Sequence, residues 1–272
     1  MTIRTRVLAP VLALLCSSIA GSAFADFELN MPVGVTTTSR EVYDLHMLIL
    51  WVCTIIGLVV YGAMVVAIVR FRKSKGAVAA KFTHNGMVEV IWTVIPAAIL
   101  VAMAVPAAET LIRMEDTRNS QLTIKVTGYQ WRWHYDYIDE GVRFFSTLDR
   151  ESNAARQLDS KILPKDVENY LLAVDHEVVV PVDTKVRLLV TGADVLHAWW
   201  VPAFAVKKDA VPGFINETWF TAHTEGTYRG QCAELCGMDH GFMPIVVRVT
   251  SQQEYEAWLS TQRAAVSSLA NP

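Results

Sequence analysis

The sequence predicts an α+β membrane protein, with an N-terminal transmembrane helical hairpin followed by a Greek-key β-sandwich. Three observations carry the prediction. Two apolar stretches, each long enough to cross a bilayer, stand in the N-terminal part of the chain. Beyond them lie short Val-, Ile-, Thr- and Leu-rich runs, bounded by Pro, Gly or Asp turns and lacking a helical period. The composition is 52% hydrophobic with a mean hydropathy of +0.29, high for a chain living wholly in water.

Residues 1–25 read as a secretory leader. Arg4 and Arg6 form its positive start, Val7 to Ile19 its apolar centre, and Ala23-Phe24-Ala25 its cleavage site. Its apolar centre is too short for a comfortable membrane helix. Leu15 before Cys16 is a poor match to a lipoprotein site. Cleavage removes two bases and no acid, taking the net charge from −3 to −5. Residues 26–45 follow as a short exported segment, and 46–111 form the hairpin. His46 to Val69 offers 24 residues without Lys, Arg, Asp or Glu. A helix rising about 1.5 Å per residue crosses the roughly 30 Å hydrocarbon layer over that length. Met87 to Ala108 is the second span, interrupted by Glu89, Pro96 and Pro106. The connecting RFRKSKGAVAAKFTHNG carries Arg70, Arg72, Lys73, Lys75 and Lys81 and no acid, which the positive-inside rule assigns to the cytoplasm. Both ends of the mature chain then face the periplasm of a bacterium. Glu89, taken alone, reads as an interfacial carboxylate reaching cytoplasmic water.

The exported domain, 112–258, reads as a small antiparallel sandwich or Greek-key barrel. Its candidate strands are Leu122–Thr127, Glu177–Val182, Lys185–Thr191, Glu217–Ala222 and Ile245–Thr250. The run GYQWRWHYDY sets Tyr129, Trp131, Trp133, Tyr135 and Tyr137 at alternate positions, as on one face of a strand. Ser146–Tyr170 is polar and reads as a long surface loop. Ser251 with Glu254 three residues later predicts a capped short helix over SQQEYEAWLSTQRA, and 259–272 reads as a tail. From Arg113 onward there are 21 acids against 16 Lys and Arg, which argues against nucleic acid and for a basic partner.

The chemistry concentrates in CAELCGMDHGFM, where Cys232, Cys236, His240 and Met243 fall within twelve residues. Thiolates, imidazole and thioether are soft or borderline donors, suited to copper or zinc and not to magnesium or calcium. A closed zinc site has no use for the Met, and a blue-copper site needs only one thiolate. Two bridging thiolates could hold two ions if a second His joined them, and His197 is the best candidate. The alternative is a Cys232–Cys236 disulfide, which an oxidising compartment favours in metal-free protein. His84, His134 and His223 have no ligand spacing.

The C-x-E-x-C-G-x-x-H-x-x-M pattern, the VLHAW stretch whose His lies 35 residues before the first Cys, and GYQWRWHYDY together resemble subunit II of the haem–copper cytochrome c oxidases. The resemblance covers most of residues 40–260. It implies a cupredoxin-like sandwich and a dinuclear copper A centre, two copper ions per chain. Cys232 and Cys236 would bridge both ions, with His197, His240, Met243 and the Glu234 backbone carbonyl completing the spheres. The Glu234 side chain would reach a magnesium ion shared with the catalytic subunit, with Asp209 a partner behind it. Trp131 would be the port for electrons from cytochrome c, Asp175 and Asp194 would belong to the donor's docking face, and Glu89 would serve proton uptake. The partners implied are catalytic subunit I, further oxidase subunits, cytochrome c and membrane lipid. No C-x-x-C-H motif is present to attach a haem of the chain's own. Phe214 and Ala193 depart from an Arg and an acid common in the family. Three other readings compete: a quinol oxidase subunit, which would lack the copper ligands; a nitrous oxide reductase, which would lack the hairpin; and a copper-delivery cupredoxin, which would not require Trp131 or Glu89.

Overall fold

The first helix starts well before the apolar stretch does. The structure, a computed structural model, describes residues 30–270, with side chains to residue 264; the candidate leader at 1–25 lies outside the described residues. All elements below belong to the unit that begins at Val33. Helix α1 spans Thr37–Arg70, opened by a capping box in which the Thr36 hydroxyl accepts from Ser39 N–H and Ser39 Oγ accepts from Thr36 N–H. Charges at Arg40, Glu41 and Asp44 end the hydrophobic run but do not end a helix, whose backbone bonds are indifferent to them. After a short 3₁₀ turn at Lys73–Lys75, helix α2 spans Gly86–Met114 and continues through Pro96 and Pro106. Asn85 caps it by accepting from Met87 and Val88 N–H, and the Glu89 carboxylate accepts from Asn85 N–H in return. Both helices are long and apolar enough to cross a membrane, and neither buries its apolar window inside the chain.

The sandwich consists of two five-stranded sheets. Its strands are β1 Leu122–Tyr129, β2 Arg132–Tyr137, β3 Val142–Ser146, β4 Val178–Pro181, β5 Lys185–Gly192, β6 His197–Val201, β7 Val206–Ala210, β8 Asn216–Thr221, β9 Gly226–Cys232 and β10 Pro244–Thr250. One sheet runs β3-β2-β1-β5-β8 and the other β4-β10-β9-β6-β7. The expectation of wholly antiparallel pairing fails at two places, because β1 pairs with β5 and β10 with β4 in parallel. Each parallel partner arrives by a long crossover, a connection that the run-and-turn pattern of the sequence does not reveal.

GYQWRWHYDY is not one strand. It is a hairpin that turns at Gln130 and Trp131, pairing Tyr129 with Arg132. Trp133, Tyr135 and Tyr137 alone share the buried face, and Tyr129 and Trp131 are left half-buried at the hairpin end. The polar tips of the buried aromatics are satisfied across the sandwich. Trp199 Nε1 donates to Tyr135 Oη at 3.2 Å, and Tyr137 Oη donates to Val179 O and accepts from Val179 N–H, both at 2.9 Å.

Ser146–Tyr170 is more ordered than its polarity predicts. Helix α3, Arg150–Ala155, is capped by Asp149 and buries Ser152 and Ala155. The C-terminal helix α4 runs Gln252–Ala270, past residue 258, with Ser251 Oγ accepting from Glu254 N–H. Tyr255 and Leu259 on α4 join the core.

The hairpin is fastened to the sandwich. Val35 N–H donates to Ala203 O, His223 N–H to Val35 O and the Thr36 hydroxyl to Phe204 O, while Thr37 Oγ1 lies 2.7 Å from His223 Nε2. Arg113 at the end of α2 pairs with Glu41 of α1 at 3.0 Å, and its carbonyl accepts from Trp219 Nε1 of β8.

Candidate metal centre

β6 begins at His197 and β9 ends at Cys232. The two strands pair with Trp199 opposite Cys232, and Ala233 N–H donates to Ala198 O. The loop from Ala233 to Met243 is thereby laid beside His197. Cys232 Sγ and Cys236 Sγ are 3.9 Å apart, far beyond the roughly 2.05 Å of a disulfide, and both thiols are free. His197 Nδ1 lies 4.0 Å from Cys232 Sγ, and the Glu234 carbonyl oxygen lies 3.4 Å from it. On the other side, His240 Nδ1 and Met243 Sδ lie 3.5 and 3.6 Å from Cys236 Sγ. The ligand atoms of His197, Cys232 and Cys236 fall within 4.8 Å of one another. His197, both Cys and Met243 are buried, and His240 forms the half-exposed edge.

Asp194 sets the tautomer of His197. Its carboxylate lies 2.9 Å from His197 Nε2 and can only accept, so Nε2 carries the hydrogen. In the neutral ring Nδ1 then presents its lone pair toward Cys232. Gly128 lies directly beneath the ring; a Cβ there would come within 2.7 Å of His197 Cδ2, so any other residue would push the imidazole aside. Burial disfavours the charged imidazole, but the bonds to Cys232 and Asp194 outweigh it and raise the His197 pKa. Burial also acts upward on Cys232, where bonds from His197 and from backbone N–H groups prevail and lower it. Burial and the adjacent Cys232 charge push the Cys236 thiol up to about 12. The Cys236 thiol thus keeps its proton in the metal-free pair, and a cation binding both sulfurs must displace it.

A layer of bonds surrounds these groups. Gln130 N–H donates to Asp194 Oδ2, and its Nε2 donates to Cys236 O at 2.9 Å. Trp131 Nε1 donates to the same carbonyl at 3.2 Å. Gly237, at φ +116°, lets the loop pass beneath Trp131, whose Cζ2 would be 3.1 Å from an added Cβ. Trp133 Nε1 donates to Met243 O, tying the thioether residue to the aromatic core. Gln130 was legible only as the neighbour of Trp131, and Trp133 only as core.

The remaining candidates fall elsewhere. Asp194 is exposed, and its carboxylate bonds to His197, Gln130 N–H and Val195 N–H, which makes it a partner of the site's imidazole as well as a surface acid. Asp175 accepts from Thr147 N–H and Oγ1, both at 2.7 Å, and contacts His176. Glu234 is exposed, and Asp209 is exposed on β7 opposite Ala198. Ala233, the residue before Glu234, bonds to Ala198 from the other side of β6. Glu89 lies at the start of α2, remote in sequence and element from all of them.

Two free thiols, two imidazoles, a thioether and a turned-in carbonyl around one space form a soft donor set. They match copper and leave no use for a hard cation. Fold and site together define a membrane-anchored β-sandwich metalloprotein of the copper-binding cupredoxin type. Residues 122–250 match the family model described as cytochrome c oxidase subunit II, periplasmic domain, and 25–109 match the transmembrane domain of the same subunit. The probable cytochrome c oxidase subunit 2 of Rickettsia felis is 38% identical over 96% of this chain and 82% of its own length. Cytochrome c oxidase subunit 2 of Cereibacter sphaeroides is 38% identical over 86% of this chain and 80% of its own. The solved periplasmic domain of subunit II of cytochrome oxidase from Bradyrhizobium japonicum is 45% identical, covers 55% of this chain and 98% of that one, and overlays with a TM-score of 0.48. The chain belongs to the cytochrome c oxidase subunit II family, the copper A subunit of a respiratory oxidoreductase, and is a membrane protein with two spans.

Proposed function

We propose that this chain is the electron-receiving subunit of a bacterial terminal oxidase. It takes electrons from cytochrome c at a dinuclear copper A centre and passes them to the haem-bearing catalytic subunit I, where oxygen is reduced to water. The observation that carries the reading is the convergence of six donors, from His197, Cys232, Glu234, Cys236, His240 and Met243, on one space. A bound copper pair would supply a one-electron redox centre there. The chain's own contribution is to hold those donors on strand ends that need not move, to fix the His197 tautomer through Asp194, and to keep water from the buried sulfurs. Six protein donors around one space favour electron storage and transfer over bond chemistry on a bound substrate. A copper-delivery protein would need none of the bonding around Trp131. The test is the purified oxidase. Two copper ions per chain, the absorption of a mixed-valence pair and rapid reduction by cytochrome c are expected. A single zinc, or copper that cytochrome c cannot reduce, would remove the reading.

Within that function, the exposed Glu234 carboxylate, with Asp209 across β6, is proposed to meet a magnesium ion at the seam with the catalytic subunit, a hard donor for a hard cation. Asp175 and the acidic surface around it are proposed to steer the donor. The sandwich and both mature termini are assigned to the periplasm and the 70–85 loop to the cytoplasm. Ser74→Cys should react with a membrane-impermeant thiol reagent only from the cytoplasmic side, and Leu158→Cys, at a fully exposed position, only from the periplasmic side. Reaction of both from one side would end the hairpin topology.

Glu89 is proposed for proton uptake on the cytoplasmic side, yet it also bonds to the Asn85 N–H that opens α2. The two uses separate by substitution. Glu89→Gln keeps an acceptor for that N–H but cannot carry a proton, so it should slow turnover about as much as Glu89→Ala while leaving copper reduction unchanged. Full turnover in Glu89→Gln with loss in Glu89→Ala would leave only the cap.

A further inference from the structure

Resting on the copper reading, we infer that Arg156, in the surface segment between β3 and β4, is a positioning residue for His240. His240 opens a single 3₁₀ turn, His240–Phe242, at the half-exposed edge of the site, and the Asp239 side chain makes no capping bond to it. That carboxylate is instead held from outside. Arg156 Nη1 and Nη2 reach Asp239 Oδ1 and Oδ2 at 3.1 and 3.3 Å, a two-pronged contact. The same guanidinium lies 4.3 Å over the Phe242 ring. One side chain therefore grips the residue before His240 and the residue two after it.

Arg156 is itself anchored. Its Nε donates to Asn153 Oδ1 at 2.8 Å, and its N–H closes α3 by donating to Ser152 O. Ser152 is fully buried, and its Oγ accepts from Leu171 N–H. The next carbonyl, of Leu172, accepts from Arg229 on β9, the strand that ends at Cys232. The segment thus connects the strand carrying the first thiol to the turn carrying the outer imidazole. Arg156 also lines, with Trp131, a cavity of about 180 Å³.

Energy does not explain this arrangement. The pair, both side chains 23% exposed, ties two surface segments and no core elements. A planar fork with a ring beneath it instead fixes direction, which is what an imidazole at an open edge requires.

The experiment uses the full-length chain in the purified oxidase. Arg156→Met should leave copper bound but release it to a chelator about tenfold faster, as removing a ligand's supporting contact does elsewhere. It should also change the copper hyperfine pattern and the reduction potential. Arg156→Lys, with charge but no fork, should restore little, and Asp239→Asn should reproduce the Met variant, with no further loss in the double mutant. Arg156→Met with the native spectrum, potential and release rate would overturn the inference. So would a lower melting temperature with those three readouts unchanged. If the unsubstituted protein shows no copper pair, the copper reading itself has failed, a distinct result.

Discussion

On the copper A reading proposed above, Cys232→Ser and Cys236→Ser will each yield a folded subunit without a mixed-valence copper spectrum and without reduction by cytochrome c. Both sulfurs are buried among the core residues, but the change is nearly isosteric. Cys232 ends β9, whose pairing with β10 is carried by backbone bonds, and Cys236 sits in a loop. The chemistry changes far more than the shape. A hydroxyl is a hard, weakly acidic donor that does not bridge two copper ions at neutral pH. The two variants should differ in what remains. Cys236 Sγ has the contacts to His240 and Met243, so Cys236→Ser disconnects both. Cys232→Ser leaves that cluster and isolates His197. Metal analysis and electron paramagnetic resonance on both would read the outcome. A native mixed-valence signal in either would refute the bridging assignment, whatever the activity.

The second large effect is expected at Trp131. Trp131→Ala should slow copper reduction by cytochrome c about tenfold or more, equivalent to about 1.4 kcal/mol on the barrier, with only modest change in donor affinity. The indole is half-buried at the surface and its Nε1–H bonds to Cys236 O, so it offers one hydrogen-bonded step from the surface to a cysteine of the candidate site. Trp131→Phe retains ring and bulk but not that bond, and should lie between the two. Asp194→Asn acts by another route. Because Asp194 accepts from His197 and Gln130, the substitution should shift the copper potential as well as donor binding, where a simple docking acid would change only salt dependence. Stopped-flow reduction over a range of ionic strength separates these effects. If Trp131→Ala regains the native rate at saturating cytochrome c, the residue binds the donor and is not the port.

The hairpin was legible because lipid demands long uncharged runs, a signal that survives without any tertiary information. The candidate donors were legible because their chemistry is unusual and five of the six share one short stretch. Less visible was what holds the donors. Asp194 reads as an acid in a polar turn until β6 and the Gln130 turn close on it, and Arg156 carries no local signal, since its partner lies 83 residues away. The aromatic run misled for a related reason. Alternation marks a strand face, but Gln130 and Trp131 form a reversal that contains neither Asn-Gly nor Asp-Gly to announce it. The two parallel strand pairs depend on crossovers and leave no local trace.

The seam at Thr36 and Thr37 has a mechanical consequence. Helix α1 is bonded to the sandwich within a residue of its own start, and α2 reaches β8 through Arg113 and Trp219. These bonds tie the sandwich directly to the start of one helix and the end of the other, as a key's bit is fixed to its shaft. Each residue of α helix contributes about 1.5 Å of rise and about 100° of turn. The nine residues from Thr37 to Leu45 therefore act as a phase setting between the bonds at Thr36 and Thr37 and the apolar stretch that begins at His46.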